Sequence, residues 1–119
     1  MQVSITFRHM DASDALRTYI DSRITGLEKY LVKPTDVRVV LSVEKFRHRA
    51  EVVLLEQNFK ASADETTDDM YKTIDKAIEK IEKQVKKHKS KVQAHHKHSL
   101  QDVAVQAEKE YKRKTAKQP

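Results

Sequence analysis

Hydrophobic and polar residues alternate in four short stretches of the chain, which is the pattern of β-strands with one buried face. The stretches cover about residues 2–8, 37–45, 49–55 and 58–63. In the first of them, Val3, Ile5 and Phe7 share one side of the strand. Short connections join the last three stretches, so we expect those three strands to form an antiparallel meander.

Two other stretches repeat their hydrophobic residues at spacings of three and four, which is typical of helices with one buried face. The first repeat predicts a helix over about residues 14–30, with Ser13 as its N-cap and Gly26 inside it. The second repeat predicts a long helix that starts near residues 67–68 and whose apolar pattern fades after Val92.

The predicted order of elements is therefore βαβββα. This order predicts an α+β fold, a two-layer sandwich in which a four-stranded mixed sheet carries two helices on one face. A helix connects the first two strands, so those strands can be parallel. Residues 1–92 make up the predicted domain. Residues 93–119 are polar, with a faint helical recurrence at 100–112, and we expect them to form a basic, disordered tail.

The charge of the chain is concentrated towards its C-terminal end. The 119 residues carry a formal net charge of +6, but residues 1–85 contain 14 Lys/Arg and 15 Asp/Glu, whereas residues 86–119 contain 10 and 3. A near-neutral domain followed by a strongly basic end indicates an anionic partner, most often nucleic acid. No apolar run approaches the length of a membrane span and no signal peptide is visible, so we expect no membrane partner.

Composition also argues against most kinds of enzyme. The chain has no cysteine and one glycine, which excludes thiolate catalysis, Cys-based zinc sites, P-loops and dinucleotide-binding loops. The adjacent carboxylates Asp68 and Asp69 begin a helix, where capping explains them. With no assembled nucleophile, base or oxyanion donors, we rank an enzyme low and expect no cofactor and no small-molecule substrate.

Lysines recur at spacings of three and four along the second helix, and we call this set the lysine ridge. Its members are Lys72, Lys76, Lys80, Lys83 and Lys87. Such a ridge suits an RNA backbone, although a solvated face laced with salt bridges accounts for residues 72–80 at least as well. Acidic residues nearly vanish over residues 83–91, which favours phosphate binding there, and Lys86, Lys89 and Lys91 extend the positive charge.

The connection between the second and third strands is another basic cluster. In residues 45–49, the cations Lys45, Arg47 and Arg49 flank the aromatic Phe46. An RNA contact and a charged loop that discourages aggregation are equally consistent with this pattern.

Four histidines fall near one another at the start of the predicted tail. They are His88, His95, His96 and His98. Their spacing suggests a transition-metal site. No carboxylate ligand lies close in the sequence, however, and Lys97 repels a cation, so we expect no metal site.

Several segments of residues 1–92 match a known bacterial family in sequence and in order. They are Met1–Thr6, Val40–Lys45, Ala61–Asp64, Asp69–Asp75 and Gln84–Lys89. These segments, set in βαβββα order, resemble the ribosome hibernation-promoting factors and ribosome-associated translation inhibitors, also described as the sigma-54 modulation protein family.

The resemblance implies a short-form factor that binds the small ribosomal subunit at the decoding region, over the mRNA and tRNA sites. Ribosomes held in this way are inactive during stationary phase. By position, the resemblance assigns 16S rRNA contacts to the basic helix end and to the hairpin; together with the ridge, the predicted RNA-binding set is Lys45, Arg47, Lys76, Lys80, Lys83, Lys86, Lys87, Lys89 and Lys91. Asp69, Met70 and Tyr71 match the family motif without showing whether they serve RNA binding or folding.

The resemblance leaves two short-form roles open. One role promotes 100S ribosome dimers. The other has a longer tail in the mRNA path, stabilises inactive 70S ribosomes and blocks dimers. The helix favours the first role and the length of residues 93–119 matches the second; of the two, we favour the first. A general double-stranded RNA-binding module stays open as well, since αβββα resembles that fold's order. We expect a cytoplasmic, ribosome-associated protein that is monomeric when free.

Overall fold

A computed structural model describes residues 1–31 and 35–100, with side chains through residue 90. The chain divides into two units, of which the first is Met1–Lys86 and the second begins at Lys87. The strands and the hydrophobic core belong to the first unit. The second unit is described as the C-terminal part of a helix.

The first unit contains a four-stranded mixed sheet, as predicted. Its strands are β1 (Gln2–Arg8), β2 (Thr35–Glu44), β3 (Arg47–Glu56) and β4 (Phe59–Thr67). They lie in the order β1-β2-β3-β4, with β1 parallel to β2 and the remaining neighbours antiparallel. β4 runs four residues past its predicted end. The prediction stopped at residue 63 because residues 64–67 are polar, but these residues pair with residues 48–51 of β3.

The first helix is shorter than its apolar repeat predicts. α1 (Asp14–Thr25) begins where Ser13 accepts a hydrogen bond from a backbone N–H of the first turn, as predicted. It ends before Gly26, and a short 3-10 helix, Glu28–Tyr30, follows it. The apolar repeat runs on through this change, because the Leu27 N–H bonds three residues back to the Ile24 carbonyl at 2.8 Å and Leu27 stays buried.

The second helix is longer than predicted. α2 (Met70–Leu100) continues past Val92, so the expectation that the chain leaves helical structure at residue 93 is wrong for residues 93–100. That stretch has no glycine or proline, the two residues that most disfavour a helix interior, so nothing in it breaks the helix. Residues 101–119 lie outside the described residues, so the disorder expected for them stays a prediction.

One face of the sheet and the apolar stripes of both helices share a single core, which confirms the two-layer α+β sandwich. Its most deeply buried large side chains include Ile20, Ile24, Leu41, Leu54, Ile74 and Ile81. Residues that alternate with the core positions, such as Thr6, Arg38 and Ser62, are exposed on the helix-free face of the sheet. Within residues 1–31 and 35–100, no helix combines the length and the apolar character needed to cross a membrane.

Candidate nucleic-acid interface

The flank of α2 that faces α1 is held by a polar cluster. The Tyr19 hydroxyl donates to Asp75 Oδ1 at 2.5 Å, and Arg23 Nε lies 3.2 Å from the same oxygen. The hydrogen bond to Asp75, with partial burial, raises the pKa of Tyr19. The Tyr19 ring also meets the Tyr71 ring edge to face, with centroids 4.9 Å apart. These contacts join the two helices, so the carboxylate of Asp75 is engaged.

The opposite flank of α2 closes the free edge of β4. The Ser62 N–H donates to Gln84 Oε1 at 3.1 Å, and Gln84 Nε2 donates to the Ser62 carbonyl at 2.7 Å. One side-chain amide thus satisfies an edge-strand residue as a neighbouring strand would, which protects this edge from pairing with another chain. Lys80 forms an ion pair with Glu65 on the same flank. Lys80, a predicted RNA contact, is therefore neutralised in part by the fold itself.

Between these flanks, α2 presents two exposed lysines that lack an acidic partner. Lys76 and Lys83 are exposed, and neither makes an ion pair with any carboxylate in the described part of the chain. The i,i+4 spacing would allow Glu79 to pair with Lys83, but that pair does not form among the described residues. Lys72, at the start of the ridge, lies 4.0 Å from Asp68. Lys76 and Lys83 are thus the ridge members of the first unit whose charges are available to a partner.

Lys86 is exposed but already engaged. Its Nζ lies 3.1 Å from Glu82 and 5.1 Å from the centre of the Tyr30 ring. The hydrogen bond to Glu82, and after it the charge of that carboxylate, raise the pKa of Lys86. An anionic partner would have to compete with Glu82 for this ammonium group.

The remaining predicted lysines of the helix belong to the second unit. There Lys87 is exposed and Lys89 is half-buried. The side chain of Lys91 lies outside the described residues, as do those of His95, His96 and His98. Through residue 90, with residues 32–34 excepted, no group of three or more His, Asp or Glu side chains is placed to hold a metal ion.

The basic hairpin lies at the N-terminal end of α2. The buried Thr73 hydroxyl, in the first turn of α2, is 3.0 Å from the His48 carbonyl, beside the hairpin. Lys83 is ten residues farther along the helix, a rise of about 15 Å. Within the first unit, the structure therefore does not bring Lys45 and Arg47, both exposed, together with Lys83.

Arg49, the third cation of the hairpin cluster, is engaged by two carboxylates. Arg49 Nε and Nη2 lie 3.0 and 2.6 Å from the two oxygens of Asp64, and Nη2 also lies 2.8 Å from Glu51. The two-pronged hydrogen bond from Arg49 lowers the pKa of the Asp64 carboxyl. Lys45 and Arg47 are left as the hairpin cations without an acidic partner among the described residues.

The structure separates the roles within the Asp69-Met70-Tyr71 motif. Asp69 Oδ2 accepts the Lys72 N–H at 3.1 Å, which caps α2, and the Met70 side chain is 5% exposed in the core. These two residues serve folding. Tyr71 is 42% exposed and is the motif residue that presents an apolar ring to solvent.

Sequence reasoning missed one feature of this surface, the contact between Gln84 and β4. Gln84 closes the sheet edge, and nothing in the sequence marks it because its partner is the backbone of a distant strand. Phe46 stands 82% exposed, more than any other large hydrophobic side chain in the described residues. The sequence marks this aromatic among cations as part of a possible RNA contact, and the structure adds that its ring is exposed.

Comparison with known proteins identifies the family to which the chain is similar. Residues 3–93 match the family described as Sigma 54 modulation protein / S30EA ribosomal protein. The ribosome hibernation promoting factor of Escherichia coli K12 is 35% identical over 95 residues, which cover 80% of this chain and 100% of that protein. The factor of the same name from Azotobacter vinelandii is 36% identical over 80 residues, 67% of this chain and 75% of that protein.

A solved structure agrees with the fold described above. The N-terminal domain of Thermus thermophilus Protein Y superposes with a TM-score of 0.70 at 28% identity, covering 74% of this chain and 99% of that one. The family match spans well over half of the chain, from the second residue of β1 to residue 93 within α2. The chain therefore belongs to the Sigma 54 modulation protein / S30EA ribosomal protein family.

Proposed function

We propose that this protein is a ribosome hibernation-promoting factor that binds the small ribosomal subunit through the exposed side of α2. Relatives from two bacteria carry that name, and the family consists of ribosome-associated factors. The observation that carries the proposal is the pair Lys76 and Lys83, exposed and without an acidic partner in the described part of the chain. Ammonium groups in this state bind phosphates without first breaking an ion pair.

Binding of this kind acts through the RNA backbone. Lys76 and Lys83 are seven residues apart and lie on one side of α2, about 10 Å from each other along the axis. Each phosphate that they neutralise releases condensed counterions, which makes the affinity strongly dependent on salt. Lys80 and Lys86 join in where phosphate displaces Glu65 or Glu82. Lys87, Lys89 and Lys91 complete the helix set on the strength of the family resemblance.

The mechanism follows from the place of binding. On the decoding region of the small subunit, over 16S rRNA, the bound protein occupies the mRNA and tRNA sites. Translation stops because mRNA and tRNA are excluded from their sites, and no chemical step is involved. The protein acts as a monomer in the cytoplasm, and ribosomes that hold it accumulate in 100S dimers during stationary phase.

Cosedimentation with purified ribosomal particles tests the proposal. The protein should pellet with 30S subunits and 70S ribosomes, and far less with 50S subunits. The logarithm of its affinity should fall steeply and linearly with the logarithm of the salt concentration. Affinity that stays flat with salt would refute phosphate contact as the main contribution. Equal affinity for 30S subunits and for any RNA duplex would favour a general double-stranded RNA-binding module instead.

A second candidate role concerns the end of the chain. The family match stops at residue 93, yet five cations follow Leu100, namely Lys109, Lys112, Arg113, Lys114 and Lys117. A basic tail in the mRNA path would make the protein a blocker of ribosome dimers that stabilises inactive 70S particles. Truncation after Leu100 separates the two roles on sucrose gradients. A dimer-promoting factor should give the same 100S peak with and without its tail, whereas a tailed blocker should become a promoter.

A further inference from the structure

Phe46 is exposed in a way that the fold does not require. Its side chain is 82% exposed, and the next most exposed large hydrophobic side chain in the described residues is Tyr71, at 42%. Tyr71 packs against Tyr19, whereas Phe46 has no aromatic neighbour among the described ring contacts. The β2–β3 hairpin thus carries a large apolar ring at its tip, in water.

The hairpin fixes the backbone that carries this ring. β2 and β3 pair along ten residues each, from Thr35 opposite Glu56 to Glu44 opposite Arg47. Only Lys45 and Phe46 form the turn. Lys45 takes a left-handed φ of 56°, which glycine adopts at the least cost. The turn therefore keeps a lysine beside Phe46 at a position where glycine would suit the backbone better.

The charges around Phe46 select an anionic partner. Lys45 and Arg47 are exposed on either side of the ring and make no ion pair within the described residues. Arg8 lines the same open concavity on the helix-free face as Arg47. Of the three carboxylates in that concavity, Glu51 and Asp64 are engaged by Arg49, which leaves Glu44. Beside the ring itself, in the shallow cavity that Phe46 lines, the two cations Lys45 and Arg47 face one carboxylate, Glu44.

We propose that Phe46 stacks on an unpaired nucleobase of the ribosomal RNA, with Lys45 and Arg47 on the adjoining phosphates. This inference rests on the proposed ribosome binding. An exposed ring between cations is the arrangement by which proteins bind looped or single-stranded RNA, because every base has a flat face to stack on. A duplex offers no free base face, and an apolar pocket of a ribosomal protein would leave Lys45 and Arg47 desolvated beside it.

Substitutions of Phe46 in the full chain test the proposal by their order of affinity for 30S subunits. Phe46→Trp and Phe46→Tyr keep a flat ring and should bind within about threefold of the wild type. Phe46→Leu and Phe46→Ala should weaken binding about 5- to 150-fold, the range expected when one base–aromatic stack is lost. Dimethyl sulfate probing should show a base of 16S rRNA whose reactivity changes with the wild type and Phe46→Trp but not with Phe46→Leu.

Controls keep the outcomes distinct. All four variants should unfold at the wild-type temperature because Phe46 contributes nothing to the core. Wild-type affinity for Phe46→Leu with weakened binding of Phe46→Trp would indicate an apolar protein pocket and overturn the stacking proposal. Equal affinity for all four variants would overturn it too, while leaving the proposed ribosome binding intact. Failure of the wild type to bind 30S subunits would overturn both proposals.

Discussion

Glutamine at both Lys76 and Lys83 removes the two positive charges that the ridge carries in the first unit without a described carboxylate to neutralise them. Each phosphate contact contributes about 0.7–0.9 to the slope of log affinity against log salt, depending on whether the RNA is single- or double-stranded. Relative to 1 M salt, one contact is therefore a factor of about 5–8 in affinity at 0.1 M. The double variant should bind 30S subunits about 25- to 60-fold more weakly at 0.1 M salt, with a slope shallower by about 1.4–1.8.

A matched control separates contact from net charge. Arg38 and Lys60 are exposed on the helix-free face of the sheet, and glutamine at both changes the net charge by the same amount. At 0.1 M salt, charges more than about 10 Å from the RNA are largely screened, so this control should keep nearly wild-type affinity and slope. Both double variants should unfold at the wild-type temperature, since exposed substitutions of this kind change stability by about 0.5 kcal/mol or less.

Lys80 provides an internal comparison on the same helix. Its ammonium is paired with Glu65, so Lys80→Gln should reduce affinity less than Lys83→Gln does. Fluorescence anisotropy of labelled protein, titrated with 30S subunits at four salt concentrations, gives each affinity and slope. The reasoning fails if the helix-free-face control loses as much affinity as the ridge variant. It fails equally if the ridge variant keeps the wild-type slope.

Three further predictions concern the fold itself. Alanine at Ile81, which is 1% exposed, should lower the free energy of unfolding by about 2–5 kcal/mol in urea denaturation, and a loss below about 1 kcal/mol would deny it a place in the core. Alanine at Asp69 should cost about 0.5–2 kcal/mol through loss of the helix cap, whereas alanine at the neighbouring Asp68 should change stability by about 0.5 kcal/mol or less; equal losses would contradict the capping role. The ion pair with Arg49 lowers the pKa of Asp64, so its contribution to stability is present above the unfolded pKa of about 3.9 and is lost as the pH falls through the lower folded value. Asp64→Asn should therefore show a shallower loss of stability in acid, and parallel urea midpoints for the two proteins from pH 7 to pH 2 would refute this.

Hydrophobic periodicity predicted which elements bury an apolar face. It misplaced the ends of elements where the backbone hydrogen bonding stops or continues independently of side-chain burial. β1 matches its predicted range because its alternation ends where the strand ends. β4 continues through polar residues 64–67, whose pairing with β3 leaves no apolar mark. α1 ends at Thr25 although the repeat continues, because a 3-10 turn still delivers Leu27 to the core. Backbone hydrogen bonding decides such ends, and hydrophobic spacing does not report it.

The candidate interface was predicted as a set of lysines but not as a set of available charges. Spacing along one helix allows Glu79–Lys83 and Glu82–Lys86 equally, and only the second pair forms among the described residues. Lys80 is paired with Glu65, fifteen residues away on another element, which local spacing cannot foresee. Whether a lysine charge is available to a partner depends on the folded surface, because a long side chain can pair with any carboxylate within its reach.

Repulsion between the lysines of the ridge slightly destabilises the fold, which is relevant to the function of the ridge. Like charges three or four residues apart on a helix destabilise it by about 0.2–0.5 kcal/mol per pair, and Lys76, Lys80 and Lys83 make two such pairs in succession. Glu65 relieves the middle lysine, and no described carboxylate relieves the outer two. Neither Lys76 nor Lys83 covers the core, caps a helix or closes a strand edge, so the fold gains nothing from their repulsion. An RNA backbone turns the same repulsion into binding energy, since phosphates placed between the ammonium groups attract each of them. The lysines that the fold needs least are therefore those on which ribosome binding should depend most.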